Sequence, residues 1–550
     1  MAAYYVEALL PAPAEPLPGV FADFRWNNTM PVGTAVSLTF SFMTSVPSYS
    51  SDATTDFVPF TPAQKAAARA ILGLYQEISN ITFVDQGDGN NTAKILFGMN
   101  ATIDAAGYAY NPDLFDAPAG GQGGDVWLAN IGSNLQVAPG DPGYSTILHE
   151  VGHALGLKHP FDDGSLEPPY LPGAEDSAQY TVMSYTGHPH EIFRIVTETS
   201  PDNYTYEYPY ISPTAPMLYD IAAIQYLYGA NMTTRAGNTP YTFDPDTPFF
   251  KTLWDGGGID VINVANFTEG CEIDLRAGHF SSITILPDPL PDGVSGGTTP
   301  TYDGTDNLAI AFGAIIENAT GGAGADRLTG NGAGNTLTGN GGNDTLLGGA
   351  GNDTYIVGQT GDVVTELYGQ GIDTLQSAIS RVLPNHVERL TLSGTGNTNG
   401  TGNALANILT GNTGGNLLNG GAGADTVKGM GGNDTLVWSA IDRLFDGGVG
   451  VADRLKLAAG NLDLTAVANN RILNIEQVQM TGGGNNTLTV GQLDVLAISS
   501  TTDTLRVFGD AGDTVIAAGF TDIGLSGMFH QYQRGAFANL LVDTDVTVVI

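Results

Sequence analysis

GGAGADRLTGNGAGNTLTGNGGNDTLLGGAGNDTYI (321–356) divides without slippage into four units of nine: GGAGADRLT, GNGAGNTLT, GNGGNDTLL and GGAGNDTYI. A second block, 402–437, divides the same way into GNALANILT, GNTGGNLLN, GGAGADTVK and GMGGNDTLV. A constant period marks stacked units, none of which can bury its apolar face alone. The eighth residue of every unit is apolar or aromatic: Leu328, Leu337, Leu346, Tyr355, Leu409, Leu418, Val427 and Leu436. A flexible glycine-rich linker would share the composition but has no reason to keep that register. Each unit therefore reads as a six-residue turn made tight by glycine, then a three-residue strand burying its eighth residue.

Such turns aim carbonyls and Asp carboxylates inward, and calcium takes six to eight oxygens. In a two-sided roll, units n and n+2 stack on one side and share an ion. That pairs Asp326 with Asp344, Asn335 with Asp353, Asn407 with Asp425, and Asn416 with Asp434. The five aspartates are candidate calcium ligands. Only the first pair has two carboxylates, so it is expected to bind most tightly. The charge agrees: 57 acids against 19 bases give a net −38, which repels nucleic acid and anionic membranes and favours divalent cations. Segment 358–401, between the blocks, shows no repeat.

Upstream of about residue 235 the texture is mixed α/β. VSLTFSFM (36–43) alternates as a half-buried strand, and ITFV (81–84), KILFGM (94–99) and DVWLAN (125–130) are further strand candidates. TPAQKAAARAILGLYQEIS (61–79) opens with Thr61 as N-cap, Pro62 at the first helical position and Gln64 completing a capping box. A chain of 550 residues exceeds one ordinary core, so two domains are expected, 1–235 and 236–550. The segment 1–30 is a candidate short pro-segment.

TILHEVGHALGLKHPF (146–161) carries three of the eight histidines. His149 and His153 are four apart, so a helix turns both to one face. Glu150 stands beside the first, where it can act as general base on water activated by a metal. Gly156 ends the helix in a backbone conformation that glycine adopts cheaply and returns His159 as a third ligand. Three histidines suit one zinc ion and leave a coordination position open, the arrangement of a catalytic site. H-E-x-x-H-x-x-G-x-x-H is the metzincin pattern, and YTVMSYTG (180–187) supplies its Met-turn methionine, Met183, with Tyr185 two residues on.

Zinc motif, Met-turn tyrosine and RTX-type nonads on one chain resemble the serralysins, RTX-bearing metzincin endopeptidases of Gram-negative bacteria. Pro160 after the third histidine and YDIAAIQYLYGAN (219–231) add to the likeness. The resemblance implies an N-terminal α/β metzincin catalytic domain and a C-terminal all-β parallel β-roll. It implies Met183 as an apolar floor under zinc and Tyr185 as a switchable further ligand that later stabilises the oxyanion. LWDGGGIDVIN (253–263) resembles a first calcium segment, suggesting Asp255, Gly257 and Asp260 as ligands, with Glu317 contributing. In metzincins the substrate lies along an edge strand before the zinc helix, which here would be DVWLAN. The insert 191–212 is expected at the substrate cleft, and His188 and His190 at its rim rather than on the metal.

The implied function is a secreted, broad-specificity zinc endopeptidase acting on proteins or peptides, monomeric and stabilised by several calcium ions. The family leaves the cell through an ABC-type exporter reading a C-terminal signal, and DTDVTVVI (543–550) resembles one, though it also reads as a final strand. The single cysteine, Cys271, excludes an intrachain disulfide, and neither a Sec-type signal peptide nor a membrane span is legible. Two alternatives stand beside this. GVSGG (293–297) fits a hydrolase elbow around Ser295 but lacks the flanking strand and helix. A calcium-dependent adhesin or surface-layer protein with a non-proteolytic metzincin-like domain is the other.

Overall fold

The computed structural model describes residues 3–11, 24–50, 56–101, 105–112, 121–164, 168–200, 203–292, 294, 297–458, 460–482, 484–499 and 502–550. Ser295 of the elbow-like motif lies outside them. The chain divides into two compact units, Met1–Asn318 and Ala319–Ile550.

The first unit is built on a five-stranded sheet of β1 (Val36–Phe42), β2 (Ile81–Asp88), β3 (Ile95–Asn100), β4 (Gly107–Ala109) and β5 (Val126–Ala129), in the order β2-β1-β3-β5-β4. β2, β3 and β5 continue a parallel ladder from β1, while β4 runs antiparallel to β5. Helix α1 (Tyr4–Ala8) precedes the sheet; α2 (Pro62–Ile78), α3 (Pro142–Ala154) and α4 (Leu218–Tyr228) follow in chain order. The capping box of α2 forms as its sequence requires. Its buried face carries Ala68, Ile71, Leu72 and Tyr75, and the Tyr75 hydroxyl donates to the Leu148 carbonyl at 3.2 Å, tying α2 to α3.

Two expectations change here. DVWLAN is not the edge: β5 is paired on both sides and all four of its residues are buried. The edge is the short β4, whose three residues are half-buried; a strand this short around a glycine has too little alternation to be seen in sequence. The 235/236 boundary also moves, because residues after 235 fold back onto those before it. Trp254 Nε1 donates to the Asn231 carbonyl, Arg235 pairs with Glu77, and Phe250 stacks on His188 at 3.8 Å. His188 is thus buried, not on a rim. The insert forms an antiparallel hairpin, β6 (Ile195–Ser200) with β7 (Asn203–Glu207), anchored where Val196 N–H donates to Asp288. Near the N-terminus, Tyr5 lies between the rings of Tyr219 and Phe312, and Lys158 N–H donates to the Leu9 carbonyl.

The second unit is a roll of short parallel strands. Each nonad strand pairs with the strand two units on: 327–329 with 345–347, 336–338 with 354–356, 408–410 with 426–428, and 417–419 with 435–437. Every eighth residue is fully buried. Segment 358–401, devoid of repeats in sequence, continues the same coil. Thr374–Ser377 and Arg389–Leu392 bridge the second nonad column of block one to the first of block two. Leu337, Tyr355, Leu375, Leu390, Leu409, Val427, Phe445 and Ile472 form one register, one apolar side chain per coil. That column removes apolar surface from water at every step, which is what a three-residue strand needs to persist. The terminal Thr547–Val549 is a strand, parallel to Thr514–Ile516. Among the described residues no helix is long and apolar enough to cross a membrane.

Candidate active site

Helix α3 presents His149 and His153 on one face, and Gly156, at φ 106°, turns the chain back so that His159 meets them. A side chain at Gly156 would place its Cβ 2.2 Å from the Phe24 carbonyl oxygen, so the turn needs glycine for space as well as conformation. His159 Nε2 lies 3.2 Å from His149 Nε2 and 3.1 Å from His153 Nε2. Nitrogens at about 2.0–2.1 Å from one tetrahedral zinc would stand about 3.3 Å apart.

The outward face of each ring explains the inward one. His149 Nδ1 donates to the Val182 carbonyl at 2.8 Å, His153 Nδ1 to the Leu157 carbonyl at 2.8 Å, and His159 Nδ1 to Asp163 Oδ2 at 2.5 Å. With Nδ1 as donor, Nε2 carries a lone pair and faces the shared point. Burial lowers the His149 pKa to about 4 and pushes that of His153 well down, so both rings are neutral ligands near pH 7. Glu150 is buried, Oε2 has no hydrogen-bond partner, and burial raises its carboxyl to about 8. A zinc ion fits this donor set: three imidazole nitrogens converge beside a buried carboxyl oxygen that awaits a partner.

Tyr185 is 71% exposed, its hydroxyl 3.0 Å from His159 Nε2 and its ring over His149 and His159. Met183 is fully buried beneath α3. A Cβ at Gly152 would stand 2.5 Å from Met183 Sδ, which explains the glycine between the two helical ligands. Gly107 brings edge strand β4 against the base: a Cβ there would lie 3.1 Å from Glu150 Cγ.

Two residues escaped the sequence reading. Asp163 fixes His159, and Asp220 on α4 fixes the Met-turn. Asp220 accepts from Thr181 Oγ1 at 2.5 Å, Val182 N at 2.8 Å and Met217 N at 2.8 Å, and Val182 in turn accepts from His149. Burial lifts the Asp220 carboxyl to about 6. Only the four-residue spacing of Asp163 from His159 was available as a signal.

Among the calcium candidates of the first unit, Asp260 N–H donates to Glu317 at 2.8 Å and Asp255 accepts from Tyr241 at 2.6 Å. Asp260 Oδ2 is buried without a partner, and its carboxyl is raised to about 6, by burial first and then by the charges of Asp255 and Glu317. Gly257, at φ 134°, forms the turn between the two aspartates. In the roll the expected pairs stack: the backbone N–H of Asp326, Asn335, Asn407 and Asn416 donates to Asp344, Asp353, Asp425 and Asp434, at 2.7–2.9 Å. The ladder runs on past the nonads, Asp344 to Asp362, Asp353 to Asp373, Asp425 to Asp442 and Asp434 to Asp453. These steps add four carboxylate pairs beyond the four nonad pairs.

The first unit carries an H-E-x-x-H-x-x-G-x-x-H site with its Met-turn, and the second a parallel roll of nonads. Residues 320–355 and 401–436 match the family of the RTX calcium-binding nonapeptide repeat (4 copies). The chain is 37% identical over 329 residues to Serralysin C of Dickeya chrysanthemi, covering 55% of this chain and 60% of that protein. It is 31% identical over 320 residues to Metalloprotease AprA of Pseudomonas entomophila (strain L48), with the same coverage. It is 32% identical over 339 residues to Serralysin of Proteus mirabilis, covering 55% and 61%. The chain is thus similar to the serralysins, and it spans about 60% of the length of these curated relatives.

Proposed function

We propose that this chain is a secreted zinc endopeptidase of broad specificity whose roll is stabilised by calcium. The observation that carries the reading is the set of three Nε2 atoms turned to one point by outward Nδ1–H donors, beside the unpartnered Glu150 Oε2. His149, His153 and His159 would hold zinc, which when bound supplies Lewis acidity that activates water and polarises a carbonyl. Glu150 takes a proton from the attacking water and passes it to the leaving amine nitrogen. Tyr185, exposed beside His159, donates a hydrogen bond to the oxyanion of the peptide. The substrate main chain adds alongside β4, which passes Glu150 at Gly107. Asp255, Gly257, Asp260 and Glu317, and the roll aspartates, are the calcium ligands. An ABC-type exporter is the secretion partner.

The test is Glu150→Ala in the full chain. Casein hydrolysis is expected to fall by about 10²–10⁴-fold, while zinc content and circular dichroism stay at the wild-type level. Wild-type proteolysis in that variant would sink the assignment.

A further inference from the structure

Residues 1–30 read in sequence as a candidate pro-segment, a part to be cut away. The described part of that stretch is instead packed into the first unit. Val6, Ala8, Leu9 and Leu10 are all buried. The Tyr5 ring lies between Tyr219 and Phe312, with centroids 4.8 and 4.6 Å away and planes within 11° of parallel. The Tyr4 and Tyr219 hydroxyls donate to the same oxygen of Glu175, at 2.5 and 2.8 Å.

These contacts end one residue away from the groups that aim the site histidines. Along one path, Lys158 N–H donates to the Leu9 carbonyl at 2.8 Å. Lys158 is buried between Leu157, whose carbonyl accepts from His153 Nδ1, and His159. Along the other, Tyr219 precedes Asp220, which accepts from Val182 N–H, and the Val182 carbonyl accepts from His149 Nδ1. Tyr219 N–H also donates to the carbonyl of Tyr180, at the start of the Met-turn, at 2.8 Å. Trp26, in the same N-terminal stretch, closes the last turn of α3: its Nε1–H donates to the Ala154 carbonyl, beside His153, at 3.0 Å. The acceptor at the outer nitrogen of a ligand histidine sets its orientation and tautomer, so a shift of that acceptor loosens the metal. Discarding the stretch would also strip a buried backbone N–H of its Leu9 acceptor, a costly loss inside a protein.

We propose that residues 4–10 are a permanent brace of the zinc site. Tyr5 is a positioning residue for His149, acting through Tyr219, and the Leu9 carbonyl positions His153 and His159 through Lys158. The brace rests on the reading of the three histidines as zinc ligands. It adds that their aim is set from the N-terminal stretch, so zinc is held less tightly when that stretch is unseated.

The experiment measures zinc affinity by competition with a chromogenic chelator, on the full chain in saturating calcium. Wild type is compared with Tyr5→Ala, which removes the ring between Tyr219 and Phe312, and with Tyr5→Phe, which keeps it. Tyr5→Ala is expected to weaken zinc binding about 10-fold with wild-type circular dichroism, and Tyr5→Phe to bind as wild type does. A stretch that served packing alone would lower the melting temperature and leave zinc affinity where it was. Equal affinity in wild type and Tyr5→Ala overturns the brace, as does unfolding of the first unit by that substitution. A wild type that takes up no zinc would sink the reading of the site itself, and the brace with it.

Discussion

The histidine site and the roll both bury polar side chains whose hydrogen bonding is half satisfied. In the site, each imidazole spends its N–H on an oxygen behind it and turns a bare nitrogen inward. In the roll, Asp344, Asp353, Asp425, Asp434 and Asp453 each accept one backbone N–H from the coil before it. The other oxygen of Asp344, Asp353, Asp425, Asp434 and Asp453 is left buried and unpartnered. The consequences differ. The imidazoles are three in number and stand on a helix and turn already packed against a sheet. The carboxylates carry charge, recur along the length of the roll, and sit between three-residue strands that cannot stand alone. A missing cation should be a local event in the first and a global one in the second.

The largest expected effect tests that contrast. Removing calcium with EGTA at pH 8 should unfold the second unit, read as lost circular dichroism and rapid cleavage within 319–550 by an added protease. A zinc-selective chelator should abolish activity and leave both unchanged. pH sharpens the comparison. Burial raises the carboxyls of Asp344, Asp353, Asp425 and Asp453 to about 6, and that of Asp434 to about 7. Their protonated forms are favoured in the calcium-free fold, so its stability is fullest below about pH 4 and falls as pH rises through 6–7. Calcium requires the ionised forms, so its affinity rises over the same window. Melting temperatures in EGTA should fall from pH 5 to pH 8, and those in calcium should rise. Parallel curves would break the idea.

Asp220 offers the same sign within the first unit, at a single residue. Its pKa of about 6 against 3.8 makes the ionised form cost about 3 kcal/mol once the pH exceeds 6. Asp220→Asn should remove that dependence. Urea unfolding in saturating calcium, at pH 4.5 and 7.5, should show the variant gaining about 2 kcal/mol on wild type between the two. An equal difference at both pH values would mean that the Asp220 charge is solvated or paired.

What could be read from sequence follows the same division. The nonads announce themselves because the ladder step is 18 residues each time. Beyond Asp353 the steps become 20, 15 and 19. The backbone ladder persists, held by Leu375 and Leu390 in the interior column, but no fixed period survives to show it. The zinc motif was legible because helix geometry fixes the spacing of its ligands. Edge strand β4 was not, since three residues around Gly107 carry no pattern. Nor was the unit boundary at Asn318, which depends on contacts such as Phe250 on His188 between residues distant in sequence.

Asp163 gives the smallest expected effect and the most direct comparison with the roll. It is a carboxylate, as the roll residues are, and it holds the outer nitrogen of His159. Removing it should leave the fold alone, because its side chain is about one-quarter exposed (23%) and no strand depends on it. What it supplies is orientation: without an acceptor at Nδ1, the His159 ring can rotate, and the tautomer with a bare Nε2 is no longer favoured. Asp163→Ala should therefore weaken zinc binding by about 10–100-fold, with unchanged circular dichroism in calcium. Asp163→Asn, which keeps an acceptor oxygen but no charge, should fall between the two. Competition with a chromogenic zinc chelator reads the affinity directly. If Asp163→Ala instead unfolded the first unit, the carboxylate would be a structural support like those of the roll, and the contrast between a local and a global site would fail at this residue.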